Sequence, residues 1–287
     1  MIKNLLDPKV DFVFKNIFGS EKHPEILISF LNAILKPEIP IVRVEIKGTD
    51  IAKNFVEDKY SRLDIKAITS NSEIINIEIQ LKNEHNMIKR SLYYLSKMYE
   101  EQLSEGDDYT SLKRTVCINI LNFKYLKTES FHSVYRLKER ETNEELTDVI
   151  EMHFIEVPKL PVDSDETDML VAWVEFLKNP ESEKVRHLEL NVKEVREAKD
   201  ELIKMSNNEE QRTMYDMRTQ IFRDRISAFN KAKKEGREEG REEERNLING
   251  LYSRLVEDDR IEDLKRATRE PEYLQQLMTE YDIHPHK

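Results

Sequence analysis

Asp64 and Glu78 are the two residues whose spacing points most directly to chemistry. The segments flanking Ser70-Asn71-Ser72 alternate in polarity, with Leu63, Ile65 and Ala67 before the turn and Ile75, Ile77, Ile79 and Leu81 after it. Period-2 alternation on both sides of turn-forming residues predicts a β-hairpin. With the turn centred on Asn71, Asp64 lies seven residues before it and Glu78 seven after, so the two carboxylates face each other. Both point away from the isoleucine face, and Gln80, two residues beyond Glu78, shares their side. Directly opposed residues have Cβ atoms about 4.5–5.5 Å apart, where like charges repel. A divalent cation such as Mg²⁺ offsets that repulsion, because it binds through one or two carboxylates and keeps waters for a phosphate ligand. Bound there, it polarises a phosphoryl oxygen and lowers the pKa of an attacking water. The competing reading is an ordinary solvated hairpin face on which Lys66 neutralises the pair. A two-residue turn would slip the register by one and weaken the shared-face geometry.

These residues need elements to hold them. Residues 7–35 carry Phe12, Ile17 and Phe18, then Ile26, Leu27, Phe30, Leu31 and Ile34, at helical spacing, with Gly19 and Pro24 dividing two helices. Asp11 and Lys15, spaced i,i+4 on the first helix, form an ordinary surface ion pair in the simplest reading. Strands are expected at 41–47, 62–69 and 73–82. A helix follows over 86–103, with Met87, Leu92, Tyr94, Leu95 and Met98 along it. The continuous run Val116-Cys117-Ile118-Asn119-Ile120-Leu121 reads as a central strand buried on both faces. Further strands are expected at 132–138 and 151–157. The order of elements predicts an α/β fold: a mixed sheet flanked by helices.

After Pro161 the chain becomes highly charged and helical, and an all-α C-terminal region is expected. The boundary is therefore drawn at 160, with residues 161–287 as an assembly or regulatory region. Residues 231–245 contain Glu-Gly-Arg-Glu-Glu-Gly-Arg-Glu-Glu, whose charges suit i,i+4 pairing along a solvated helix. Charged residues make up 36% of the chain and the net charge is −11. A phosphate-binding surface usually leaves a basic footprint, so this balance argues against nucleic acid unless a bound cation or a local basic patch offsets it. A single cysteine, Cys117, excludes an intrachain disulfide. With no apolar stretch approaching the roughly 20 residues of a membrane span, and no signal-peptide pattern at the N-terminus, a cytoplasmic, membrane-free location is expected. The seven histidines show no metal-ligand spacing.

The string Asp64…Ile77-Glu78-Ile79-Gln80 resembles the D…ExQ signature of the recombination-promoting nucleases, the transposase-like family within the PD-(D/E)XK superfamily. Asp11-Phe12-Val13-Phe14-Lys15-Asn16-Ile17-Phe18-Gly19 resembles that family's opening DxxFKxxFG. Ser61-Arg62-Leu63-Asp64, Arg90-Ser91-Leu92-Tyr93-Tyr94 and Ile118-Asn119-Ile120-Leu121-Asn122-Phe123 follow in the family's order, and the Gly-Arg-Glu-Glu repeats resemble its C-terminal region. The resemblance implies a restriction-endonuclease-like core that cleaves DNA with Mg²⁺ or Mn²⁺. It implies Asp64, Glu78 and the Ile79 carbonyl as metal ligands, with Asp11 as an additional acidic member. Gln80 stands where the wider superfamily has a lysine that orients the attacking water and stabilises negative charge. A glutamine can orient the water but supplies no charge, and Lys66 is a candidate replacement. Arg90 and Tyr94 are candidates to contact DNA; the alternative is a Tyr94 packed in the core and an Arg90 paired with one of the carboxylates. A second reading keeps the fold without catalysis, as a DNA-binding or inhibitory partner of an active relative. Self-association through the C-terminal helices is expected in either case, because cutting both strands benefits from two sites.

Overall fold

Apolar residues at helical spacing form α1 (Asp11–Phe18) and α2 (Pro24–Leu35), separated at Gly19 and Pro24 as the sequence predicts. Together they bury Phe14, Ile17, Phe18, Ile26, Leu27, Phe30 and Leu31. The computed structural model describes residues 4–47, 64–165 and 167–284. Ser61, Arg62 and Leu63, the start of an expected strand and part of a family motif, lie outside the described residues.

The next elements are β1 (Val44–Lys47), β2 (Ile65–Thr69), β3 (Ile74–Gln80), α3 (Met87–Glu100), β4 (Thr115–Leu121), β5 (His132–Lys138) and β6 (Glu145–Glu156). The strands form one mixed sheet in the order β1-β2-β3-β4-β6-β5. The pairs β3–β4 and β4–β6 are parallel, and the remaining three are antiparallel. β3, α3 and β4 thus make a βαβ crossover, the connection that parallel neighbours require. β4 is buried along its whole length, as its unbroken apolar run predicts.

Helices cover both faces. On one, Tyr94, Leu95 and Met98 of α3 pack with Cys117. On the other, Ile75, Ile77 and Ile79 meet α1, α2 and α4 (Met169–Lys178) in the main core. An aromatic cluster ties those helices together: the Phe18 ring centroid lies 4.9 Å from Phe30 and 5.4 Å from Trp173. The Trp173 indole N–H also donates to Ser29 Oγ at 3.2 Å. The buried Glu151 carboxylate is met on the same side of the sheet by Arg114, Arg136 and His153. Two arginines and a histidine overcome the burial that would raise its pKa and hold it at about 2.

The expected boundary at residue 160 falls inside a compact unit. That unit runs from residue 1 to Thr219 and includes α4, α5 (Glu183–Asn191) and α6 (Lys193–Asn207). Composition shifts at Pro161, but Trp173, Phe176, Val195 and Leu202 are core residues for α1 and α2, so charge density does not mark where the core ends. Helix α7 spans Glu209–Glu257 and carries the four-residue repeat, with i,i+4 ion pairs Lys231–Glu235 and Lys234–Glu238. The second unit, residues 220–287, has its own small core of Leu251, Leu255, Ala267 and Leu277, in which α8 (Ile261–Ala267) and α9 (Pro271–Glu280) take part. None of the described helices is long and apolar enough to cross a membrane.

Candidate active site

The hairpin turn fixes the register from which the site follows. The Ser72 N–H donates to the Thr69 carbonyl at 2.9 Å, and the Thr69 N–H to the Glu73 carbonyl at 3.0 Å. Ser72 has φ 63°, the left-handed residue that closes a three-residue hairpin loop. The pairs Ala67–Ile75, Lys66–Asn76 and Ile65–Ile77 follow. One step further along the same register, Asp64 stands opposite Glu78. The isoleucine face enters the core, and Glu78, only 2% exposed, lies on the α3 side with Arg90.

Each oxygen of Asp64 has a partner. Oδ2 accepts the Ile79 N–H at 2.9 Å, and Oδ1 lies 3.1 Å from the Lys15 ammonium of α1. A strand residue directs its N–H and C=O to the same edge, so the Ile79 carbonyl also faces the Asp64 side. Glu78 Oε2 lies 3.3 Å from Arg90 Nε. Its other oxygen, Oε1, is buried and has no hydrogen-bond partner among the described residues. Burial pushes both carboxyls up. For Asp64 it outweighs Lys15 and the Ile79 N–H. For Glu78 burial outweighs the Arg90 charge and, with the neighbouring Asp64, raises the pKa to about 7. Burial opposes the Arg90 charge, but Glu78 and Tyr94 outweigh it and raise the Arg90 pKa.

The other expected site residues are distributed differently. Gln80 ends β3 on the Glu78 side, partly exposed, and its carbonyl accepts the Asn122 N–H at 2.9 Å. Lys66 is drawn to Glu101 at the end of α3, 3.2 Å away, and does not join the carboxylate pair. Asp11 binds Arg218 at 3.1 Å, not Lys15, and acts on Asp64 only as a neighbouring charge that raises its pKa. Tyr94 is 8% exposed and packs in the α3 core, with Arg90 Cζ 5.4 Å from its ring centre.

Lys15 is the site residue that sequence spacing misassigned. Its i,i+4 relation to Asp11 suggested a helix-surface pair, whereas the structure turns it to Asp64. The overlooked signal is its position between Phe14 and Phe18, whose burial sets the face of α1 that meets the sheet. Lys15 also lines a polar cleft of about 500 Å³ whose charged residues are of both signs: Lys22 and Lys204, with Glu21 and Glu201, the last bound to Lys204 at 2.6 Å.

The donor set suits a hard cation held mainly by water. Among the described residues no group of three or more His, Cys, Asp or Glu is arranged to hold a metal ion. Two carboxylates with a backbone carbonyl nonetheless match what Mg²⁺ takes from protein, and the unpartnered Glu78 Oε1 is a buried acceptor still to be satisfied.

The model of the family described as PD-(D/E)XK nuclease family transposase matches residues 8–232. The chain belongs to that family. Neither a curated protein nor a solved structure matches the chain. The match takes in every element of the sheet and all the site residues above. For a PD-(D/E)XK nuclease family member, the mixed sheet between helices is the family fold, and its nucleases generally use divalent metals.

Proposed function

We propose that the protein is a DNA endonuclease that hydrolyses phosphodiester bonds with Mg²⁺ or Mn²⁺ held by Asp64, Glu78 and the Ile79 carbonyl. The observation that carries this reading is the opposed Asp64–Glu78 pair, in which one buried carboxylate oxygen has no hydrogen-bond partner among the described residues. When bound, the cation supplies polarisation of a phosphoryl oxygen and a water of lowered pKa.

The chain's own residues do the rest. The Ile79 N–H holds Asp64 in one orientation. Arg90 keeps Glu78 beside α3, with Tyr94 packed against the guanidinium. Gln80 lies on the same side and orients the attacking water by hydrogen bonding, a role open to a neutral amide. Asp11 acts from a distance by adding negative charge near Asp64.

The reaction is cleavage, on recombining, mobile or foreign DNA, and not strand joining. Two copies associate through the helices beyond residue 219 so that both strands are cut.

Supercoiled-plasmid cleavage tests the reading. Purified wild type should nick or linearise DNA in Mg²⁺ or Mn²⁺, stop in EDTA, and lose activity on Asp64→Ala with folding intact. Equal cleavage by wild type and Asp64→Ala would contradict it. Recombinant products in a joining assay would contradict the assignment to hydrolysis.

A further inference from the structure

Resting on the nuclease reading, we propose that Lys15, from α1, supplies the positive charge at the scissile phosphate that Gln80 cannot. Among the described residues, Lys15, Lys66 and Arg90 are the cations weighed for this role, and their surroundings separate them. Lys66 is committed to Glu101 at 3.2 Å, beyond the carboxylate pair. Arg90 is held between Glu78 at 3.3 Å, Glu84 at 4.0 Å and the Tyr94 ring. Lys15 touches Asp64 Oδ1 at 3.1 Å and opens onto the polar cleft, with its side chain 29% exposed.

An ammonium has three donors in a compact, rotatable head. One meets Asp64, and the other two remain to donate to a non-bridging phosphate oxygen. The guanidinium of Arg90 is larger and already bracketed.

The backbone that carries Lys15 is held firmly. The Gly19 N–H donates to the Lys15 carbonyl at 2.9 Å, and a Cβ at position 19 would stand 2.6 Å from that same oxygen. Phe14 and Phe18 on either side are wholly buried. Charge stabilisation depends on such preorganisation, because a donor already in place needs no rearrangement when negative charge develops.

In the hydrolysis, the water oxygen bonds to phosphorus as the P–O bond to the leaving oxygen breaks. Water gives up one proton and the leaving oxygen gains one. Lys15 exchanges neither proton; it donates hydrogen bonds to the phosphoryl oxygen on which charge accumulates.

The test combines plasmid cleavage rates with Mn²⁺ affinity from calorimetry on the full chain, for wild type, Lys15→Met, Lys15→Arg and Lys15→Met/Gln80→Lys. Removing one such donor costs about 10²–10³ in rate. Lys15→Met should lose cleavage by about that factor while binding Mn²⁺ as tightly as wild type or more tightly, since Asp64 loses a competing cation. Lys15→Arg should keep part of the activity, and the double variant should recover at least tenfold over Lys15→Met. Wild-type rates in Lys15→Met would overturn the inference and leave the nuclease reading intact. A fall in Mn²⁺ affinity matching the fall in rate would reduce Lys15 to a residue that positions Asp64, which also overturns it. No cleavage by wild type in either metal would overturn the nuclease reading and this inference with it.

Discussion

Glu78 is almost wholly buried, beside the Arg90 cation and the Asp64 carboxylate, and burial dominates its titration. Its pKa rises to about 7 from an ordinary carboxylate value. Between pH about 4.5 and 7 the native state keeps a proton that the unfolded chain has released, so the Glu78 contribution to stability falls as pH rises through that window and is flat above it. Cation binding needs the ionised form. Mn²⁺ affinity measured by calorimetry should therefore climb from pH 5.5 to about 7 and then level off, and the climb should vanish in Glu78→Gln along with most of the binding. An affinity independent of pH over that range would place the ion elsewhere. The pairing of Asp64 with Glu78 was legible in the sequence because hairpin register is local arithmetic about a turn. Arg90 as a carboxylate partner and Tyr94 as a core residue were among the sequence alternatives, and both hold. Lys15 was not legible as a partner, because it arrives on α1 and its reach depends on packing between elements that no spacing encodes.

The elements divide the work between a fixed sheet and helices that bring charge to its edge. α1 is the clearest case. Its buried phenylalanines seat it against β3, and Gly19 ends it where the chain passes close to the Lys15 carbonyl. In Gly19→Ala the added Cβ would press on backbone 2.6 Å away, which must shift. We expect a loss of about 1–3 kcal/mol in urea unfolding, the usual cost of overpacking, and a drop in cleavage beyond that explained by the unfolded fraction. Unchanged stability would show that α1 relaxes freely and does not fix Lys15. Strand and helix existence was readable nearly throughout, from period-2 and helical alternation. Position 66 was misread for a physical reason: Lys66 does lie on the carboxylate side of β2, but a long flexible side chain follows the nearest opposite charge, and Glu101 stands on that side too.

At the scale of the whole molecule, the first unit needs its charged helices. Trp173, Phe176 and Leu202 complete the core over α1 and α2, although they belong to a stretch whose composition suggested a separate region. A chain ending at Thr219 should unfold cooperatively in urea. One ending at Leu160 should not, because it would expose Phe18 and Phe30 where Trp173 covers them. Cooperative unfolding of the shorter chain would restore the boundary at 160. Comparing full length with the chain ending at Thr219 by sedimentation tests self-association: a larger assembly only at full length assigns it to the second unit, whereas two monomers would remove it.

The central claim is that the Asp64–Glu78 pair cuts DNA, and the most direct measurement compares supercoiled-plasmid cleavage in Mg²⁺ by wild type and by Glu78→Gln, which keeps side-chain volume while removing the charge. Metal-dependent cleavage by wild type, and its loss in a Glu78→Gln protein that still unfolds cooperatively, is the predicted result; equal cleavage by the two proteins would contradict it.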